Sequence, residues 1–135
     1  MSITYGDVTY VTRAAEGAIT FATGCEFAPV IVGSAATQVK AATDSATTVI
    51  GFARKPTTAD SIADGDAVDI AVSGVVAAYV SGTVTVNDPL EVHSTVTQVA
   101  KLTLSAYTDI TKRVARVVIG RTGAGLAWVE VRGGY

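Results

Sequence analysis

The sequence predicts an all-β protein, a small β-sandwich or barrel of short antiparallel strands with little helix. Valine and threonine together supply about forty of the 135 residues, side chains that are stiff at χ1 and pack well on a pleated surface. Short runs with alternating apolar positions recur, divided by Gly, Asp, Asn and Ser, and no segment sustains a helical period. A chain of this length has room for one core, and 49% hydrophobic residues against 16% charged ones exclude a disordered chain. Residues 1–18 read as an N-terminal arm or first strand, and residues 19–135 as a single β domain.

Taken in order, Pro29 to Gly33, Thr37 to Ala41 and Thr48 to Ala53 read as short strands. Ser34-Ala35-Ala36 starts like a capped helix, but Thr37 and Val39 break that pattern at once. The strongest alternation runs from Asp66 to Val72, with Val68, Ile70 and Val72 on one face and Asp69 and Ala71 on the other. Ser73-Gly74 is read as a turn or bulge into Val75 to Val80, and Ser81-Gly82 as a second turn into a strand from Thr83 to Val86, which makes a meander. Asn87-Asp88-Pro89 turns the chain into Leu90 to His93, with Thr97 to Leu102 as its partner. Ser105 to Arg113 has room for a helical turn or two. Val114 to Ile119, with Arg116 on its wetter face, should pair with Leu126 to Val131 across the Gly-rich loop Gly120 to Gly125. Two internal echoes are short and unevenly spaced: Ala63 to Ile70 against Thr85 to Val92, and Ile50 to Ala53 against Ile119 to Thr122. They do not suggest a solenoid.

The composition excludes several function classes. Ten Lys and Arg against twelve Asp and Glu give a net charge of -2, the wrong sign for neutralising phosphates, so nucleic acid is not an expected partner. The N-terminal residues lack the basic start and apolar run of a secretory signal. The uncharged stretch from Ile70 to Asn87 is interrupted by Ser-Gly pairs and alternates like strands, so no membrane span is expected.

Candidate chemistry is sparse, and no enzyme activity, cofactor or metal is assigned. Cys25 has no CxxC partner and reads as a small packing residue, while His93 reads as a surface histidine without an orienting acid. Asp60, Asp64, Asp66 and Asp69 lack the ligand spacing and terminal Glu of an EF-hand loop, and read as a turn leading into a solvated strand face. Gly120, Gly123 and Gly125 are not followed by the GK[ST] of a phosphate loop. Trp128 and Tyr135 read as packing and end-of-chain residues. The N-terminal stretch from Ile3 to Val11 carries two of the five tyrosines, and Tyr combines large contact area with a polar tip. Ile3, Tyr5, Val8 and Tyr10 are therefore the candidate docking residues, and deletion of residues 1–12 is expected to abolish binding and leave a folded protein.

The order of several motifs resembles one family. Val49-Ile50-Gly51-Phe52-Ala53, the turn Asp64-Gly65-Asp66 into Ala67 to Ile70, Gly74-Val75-Val76, and Asn87-Asp88-Pro89 into Leu90 to Val92 come first. Val117 to Gly120 and the closing Val129-Glu130-Val131 follow. Together they resemble the tailed-phage head decoration proteins, also called capsid cement proteins, over residues 28–132, with Asn87 where that family often has Gly. The resemblance implies a non-enzymatic virion protein, made in the host cytoplasm, that binds the outer surface of the assembled capsid as a homotrimer. There it would contact the major capsid protein lattice and reinforce capsomer contacts. The alternative class is a small β ligand-binding module for glycans, which the 7% aromatic content disfavours. A trimeric hydrolase would need Asp64 and Asp66 in a site assembled between chains.

Overall fold

Alternating Val, Ile and Ala side chains build nine strands and one short 3-10 helix in the computed structural model, which describes residues 8–103 and 107–132. The strands are β1 (Thr9–Ala15), β2 (Phe27–Val32), β3 (Gln38–Ala41), β4 (Val49–Arg54) and β5 (Ala67–Val80). β6 (Pro89–Val92), β7 (Val99–Lys101), the 3-10 helix (Tyr107–Lys112), β8 (Ala115–Ile119) and β9 (Gly125–Arg132) follow. The all-β class is as the composition predicts. All strands join one sheet in the order β1-β3-β2-β4-β5-β7-β6-β8-β9, with further pairings β1–β5 and β5–β9.

Those two extra pairings close the sheet twice. β1-β3-β2-β4-β5 forms a first five-stranded ring and β5-β7-β6-β8-β9 a second, and β5 belongs to both. The rings repeat each other pairing by pairing. β1–β3 and β5–β7 are the two parallel contacts, and every other pairing is antiparallel. Register repeats too: Val30↔Ala41, Ile31↔Lys40 and Val32↔Val39 in β2–β3 match Leu90↔Lys101, Glu91↔Ala100 and Val92↔Val99 in β6–β7. Isolated bridges Ile19↔Ile62 and Val84↔Arg121 occupy corresponding places.

The sequence carries the repeat as well. Pro29, Val32, Ser34, Thr37, Gln38 and Val39 are each identical to the residue 60 positions later: Pro89, Val92, Ser94, Thr97, Gln98 and Val99. Their backbone hydrogen bonds agree. Gly33 N donates to Gln38 O at 2.9 Å and His93 N to Gln98 O at 3.0 Å; Gln38 N donates to Ala35 O at 3.0 Å and Gln98 N to Thr95 O at 2.9 Å. Of the two echoes read from the sequence, Ala63 to Ile70 and Thr85 to Val92 do share a tight turn into a strand, with Asp66 N donating to Ala63 O and Asp88 N to Thr85 O at 3.1 Å each, although they are offset from the 60-residue repeat; Ile50 to Ala53 and Ile119 to Thr122 differ, since Gly51 lies inside β4 and Gly120 follows the end of β8.

Each ring encloses its own core. Ala15, Ile19, Val30, Val39, Ala53, Val68 and Ile70 fill the first. The matching Val80, Val84, Leu90, Val99, Val117, Ala127 and Val129 fill the second, all buried. Burying one Val, Leu or Ile contributes roughly 1.5–3 kcal/mol, so these repeated positions supply much of the driving force.

One expectation is resolved and two need correction. Of the turn or bulge expected at Ser73-Gly74 the structure has the bulge and not the turn: the register slips between Tyr10↔Ala71 and Thr9↔Ser73, β5 runs on for 14 residues, and Gly74 takes φ 104 where the strand exchanges its β1 pairing for its β9 pairing. Ser73 pairs with Thr9 and also with Arg132, so the Gly accommodates a change of neighbours and not a reversal. Thr83 to Val86 is not a strand; Val84 makes only the bridge to Arg121. Finally, the strands are neither all short nor all antiparallel, because ring closure brings β3 beside β1 and β7 beside β5 in parallel.

Candidate functional site

Since the rings share a backbone, their outer faces can be compared position by position. On β5, Ala67, Asp69 and Ala71 alternate with the inward Val68 and Ile70; on β9, Leu126, Trp128 and Glu130 alternate with the inward Ala127 and Val129. Part of the first ring's outer face is covered within the chain. Ile31, Phe52 and Ala71 are buried in the same cluster as the second ring's core. The matching positions of the second ring are Glu91, Arg116 and Glu130. There Arg116 Nη2 donates to Glu130 Oε1 at 3.1 Å and Nη1 donates to Asn87 Oδ1 at 2.9 Å. Asn87 itself holds φ 70, a left-handed conformation that Asn tolerates better than other non-Gly residues, which explains its presence at a Gly-type turn.

Beside this charged strip the contrast reverses. In the first ring Thr12 Oγ1 donates to Asp69 Oδ1 at 2.9 Å, a polar pair on β1 and β5. In the second ring the same two places hold Ala77 and Trp128. Trp128 and Leu126 are each 43% exposed, and Ile119, placed opposite Trp128 by an irregularity in β8, is 38% exposed. Val8, Phe27, Val75, Leu126 and Trp128 line a groove of about 270 Å³ along this face. Trp128 is a packing residue of the outer face and not of a ring interior, which is filled by Ala, Val and Leu.

A second feature belongs to the first ring alone. Between Ala53 and Ile62 run eight residues, Arg54 to Ser61, where the second ring has only Val118, Ile119 and Gly120 between Val117 and Arg121. The longer loop walls a cleft of about 450 Å³ lined by Glu26, Arg54, Lys55, Thr57, Thr58 and Asp60.

Of the predicted docking residues, Ile3 and Tyr5 lie outside the described residues. Val8 is half-buried against the second ring's core cluster and reaches the apolar groove. Tyr10 sits in β1, with the Arg54 guanidinium 5.7 Å from its ring centroid. The two are thus parted, Val8 to the Trp128 face and Tyr10 to the Arg54 loop. Sequence reading missed Leu126, Trp128 and Ile119; the signal was the alternation of Leu126, Trp128 and Glu130 with Ala127, Val129 and Val131.

Cys25 is buried, and its Sγ donates to Phe27 O at 3.1 Å. Burial pushes its thiol up, so it is a poor nucleophile. His93 closes the β6–β7 turn by accepting the Thr95 N–H on Nδ1 at 3.1 Å. Among the described residues no group of three or more His, Cys, Asp or Glu is arranged to hold a metal ion, and no helix is long and apolar enough to cross a membrane.

No protein-family model matches the chain, and no curated protein matches it. Among solved structures it is similar to the N base of head fiber gp8.5 of bacteriophage phi29. The TM-score is 0.50 at 8% sequence identity, over 96% of this chain and 98% of that one. At that identity the likeness is one of fold. Its extent matters, since it takes in both rings.

Proposed function

We propose that this chain is a structural component of a phage head, a non-enzymatic protein that binds the outer surface of the assembled capsid as a homotrimer and reinforces contacts between capsomers. The observation that carries the reading is the whole-chain fold likeness to a head fiber base. The ordered strand and turn motifs of residues 28–132 point the same way. A protein that binds the assembled lattice better than free subunits shifts the equilibrium toward the shell by mass action. A modest contact repeated over many sites multiplies that effect. No reacting group is needed for such work, only a durable fold and an adhesive surface.

The test is co-sedimentation of the full chain with purified undecorated heads, followed by heat challenge of the particles. Bound protein and a higher rupture temperature are expected; absence of the chain from the pellet would sink the reading. The N-terminal docking residues are tested separately by removing residues 1–7 only. Removing 1–12 would also delete Thr9 to Thr12, which pair with Ser73, Ala71, Ile70 and Asp69 in the sheet, and would confound lost docking with lost folding. Loss of head binding by the shorter truncation is expected, and unchanged binding would discard Ile3 and Tyr5 as contacts.

A further inference from the structure

We infer that the loop from Arg54 to Ser61, with the clefts it walls and Tyr10 beside it, is the surface by which this chain holds the assembled head, and that it takes a polypeptide segment bearing carboxylates. The inference rests on the proposed head binding and names the contact.

The comparison of the rings supplies the first argument. Ring closure needs only three residues at this place, because the second ring passes from Val117 to Arg121 through Val118, Ile119 and Gly120. There the end of the ring is shut: a Cβ added to Gly120 would press on the Val84 carbonyl oxygen and stand 2.9 Å from the Thr85 Cα. In the first ring eight residues make the same crossing and stand away from the sheet. They leave a cleft of about 450 Å³ toward Glu26 at the start of β2 and another of about 350 Å³ toward Ala67 and Asp69 of β5. An insertion confined to one copy of a repeat is a loop the fold does not need, and such loops often form the binding face.

The partner follows from the lining. Arg54, Lys55, Thr57 and Thr58 line both clefts, so the loop offers donors on either side. The carboxylates are divided: Glu26 and Asp60 line the larger cleft, while Asp69 in the smaller already accepts the Thr12 hydroxyl at 2.9 Å. Neither Arg54 nor Lys55 forms an ion pair among the described residues. Two adjacent cations in an open cleft attract a carboxylate, and Arg can hold one through two parallel N–H bonds. The threonine hydroxyls beside them donate and accept, which suits the amides and carbonyls of a polypeptide.

The loop is also held ready. Lys55 N donates to Glu26 O at 2.7 Å where the loop begins, and Ile62 and Ile19 each donate to the other's carbonyl at 2.9 Å where it ends. The Arg54 guanidinium lies 5.7 Å from the Tyr10 ring centroid, a cation–π contact that restrains its direction. Groups fixed before the partner arrives lose less freedom on binding. Tyr10, one of the docking residues expected from the sequence, thus acts as a positioning residue for Arg54.

The test is co-sedimentation of the full chain with undecorated heads at several salt concentrations. Arg54→Glu combined with Lys55→Glu should lower the affinity by about a hundredfold, the scale of losing a hydrogen-bonded charge pair, with unchanged far-ultraviolet circular dichroism. Tyr10→Ala should weaken binding by about threefold, and Tyr10→Phe, which keeps the ring, should not. Raising the salt from about 0.05 to 0.5 M should weaken the wild type more than the double variant, which lacks the screened cations. Lys40→Glu, the same change of charge on β3 and outside both clefts, should change nothing. Equal binding by the wild type and the double variant, or a wild-type affinity indifferent to salt, would overturn this contact and leave the head-binding reading standing. A loss in Lys40→Glu as large as in the double variant would overturn it too, since net charge and not this loop would be at work. A wild-type chain that stays in the supernatant would sink the head-binding reading and this contact with it.

Discussion

Phe52 in the first ring and Arg116 in the second occupy the same strand position, each paired with the proline that opens or lies within the neighbouring strand, Pro29 and Pro89. Phe52 is fully buried, whereas Arg116 is exposed and bridges Asn87 and Glu130. The backbone of a closed ring dictates which side chains point in, and it is indifferent to what the outward ones are. Inward positions are accordingly alike in the two rings, while outward positions have diverged into three roles: cover between the rings at Phe52, solvated charge at Arg116, and exposed apolar surface at Trp128. Function in this molecule is therefore sought on the outside, and in the differences.

The comparison breaks most visibly at that first pair. Phe52→Ala should cost about 3–5 kcal/mol, the usual range for emptying a buried Phe site, because it opens the cluster common to both rings. Arg116→Ala should cost less than about 1 kcal/mol, since an exposed ion pair contributes little. Thermal unfolding followed by circular dichroism measures both, and equal losses would refute the division between cover and solvated strip. A smaller effect is expected one residue earlier. Gly51 lies so close to β5 that an added Cβ would press on the Ala71 carbonyl oxygen and come within 2.9 Å of Ile70 Cγ2, yet the second ring holds Ala115 at the matching place. Gly51→Ala should therefore cost about 1–3 kcal/mol, typical of overpacking, despite the Ala in its counterpart. Because β5 serves both rings, the variant should still melt in a single transition; two separated transitions would show that the rings unfold independently.

How much of this was legible in the sequence depended on whether local chemistry or ring closure decided the matter. The alternation of Val68, Ile70 and Val72 identified the inner face of β5, and the paired strands β8 and β9 followed from their Gly-rich connection. At Ser73-Gly74 the local signal allows a turn or a bulge; which of them is used, a bulge where one strand exchanges neighbours, is decided by β1 and β9 at opposite ends of the chain. The repeat is written in Pro29 to Val39 and Pro89 to Val99, but only six of its eleven aligned positions are identical, a weaker signal than Gly-Asp turns that recur in any β protein. Trp128 shows the limit most clearly. A large aromatic is ordinarily assigned inward, and only the narrow interior of a five-stranded ring, already filled by Ala127 and Val129, puts it outside.

Two turn carboxylates, Glu16 in the first ring and Asp88 in the second, have no carboxylate at the matching place, and these give the smallest predicted effect. Glu16 accepts the N–H and hydroxyl of Ser34 in the first ring, where its counterpart is Ser81. Asp88 accepts the N–H of Thr85 at 2.9 Å and its hydroxyl at 3.2 Å in the second ring, where its counterpart is the buried Ala28. The Ser34 hydroxyl and N–H hold Glu16 below its ordinary range; the Thr85 N–H chiefly does the same for Asp88, with help from Lys101 at 3.7 Å. Unfolded carboxyls take up protons near pH 4, so on acidification the unfolded chain binds these protons before the folded one does. The stability the two groups lend is thus complete above that range and is lost as pH falls through their depressed values. Glu16→Gln and Asp88→Asn should each flatten the acid limb of a plot of unfolding midpoint against pH. The Asp88 change should cost less than about 1 kcal/mol at neutral pH, the scale of a single net hydrogen bond. An acid limb unchanged in the double variant would show that the carboxylates are ornaments of their turns, and that the rings differ energetically only on their outer faces.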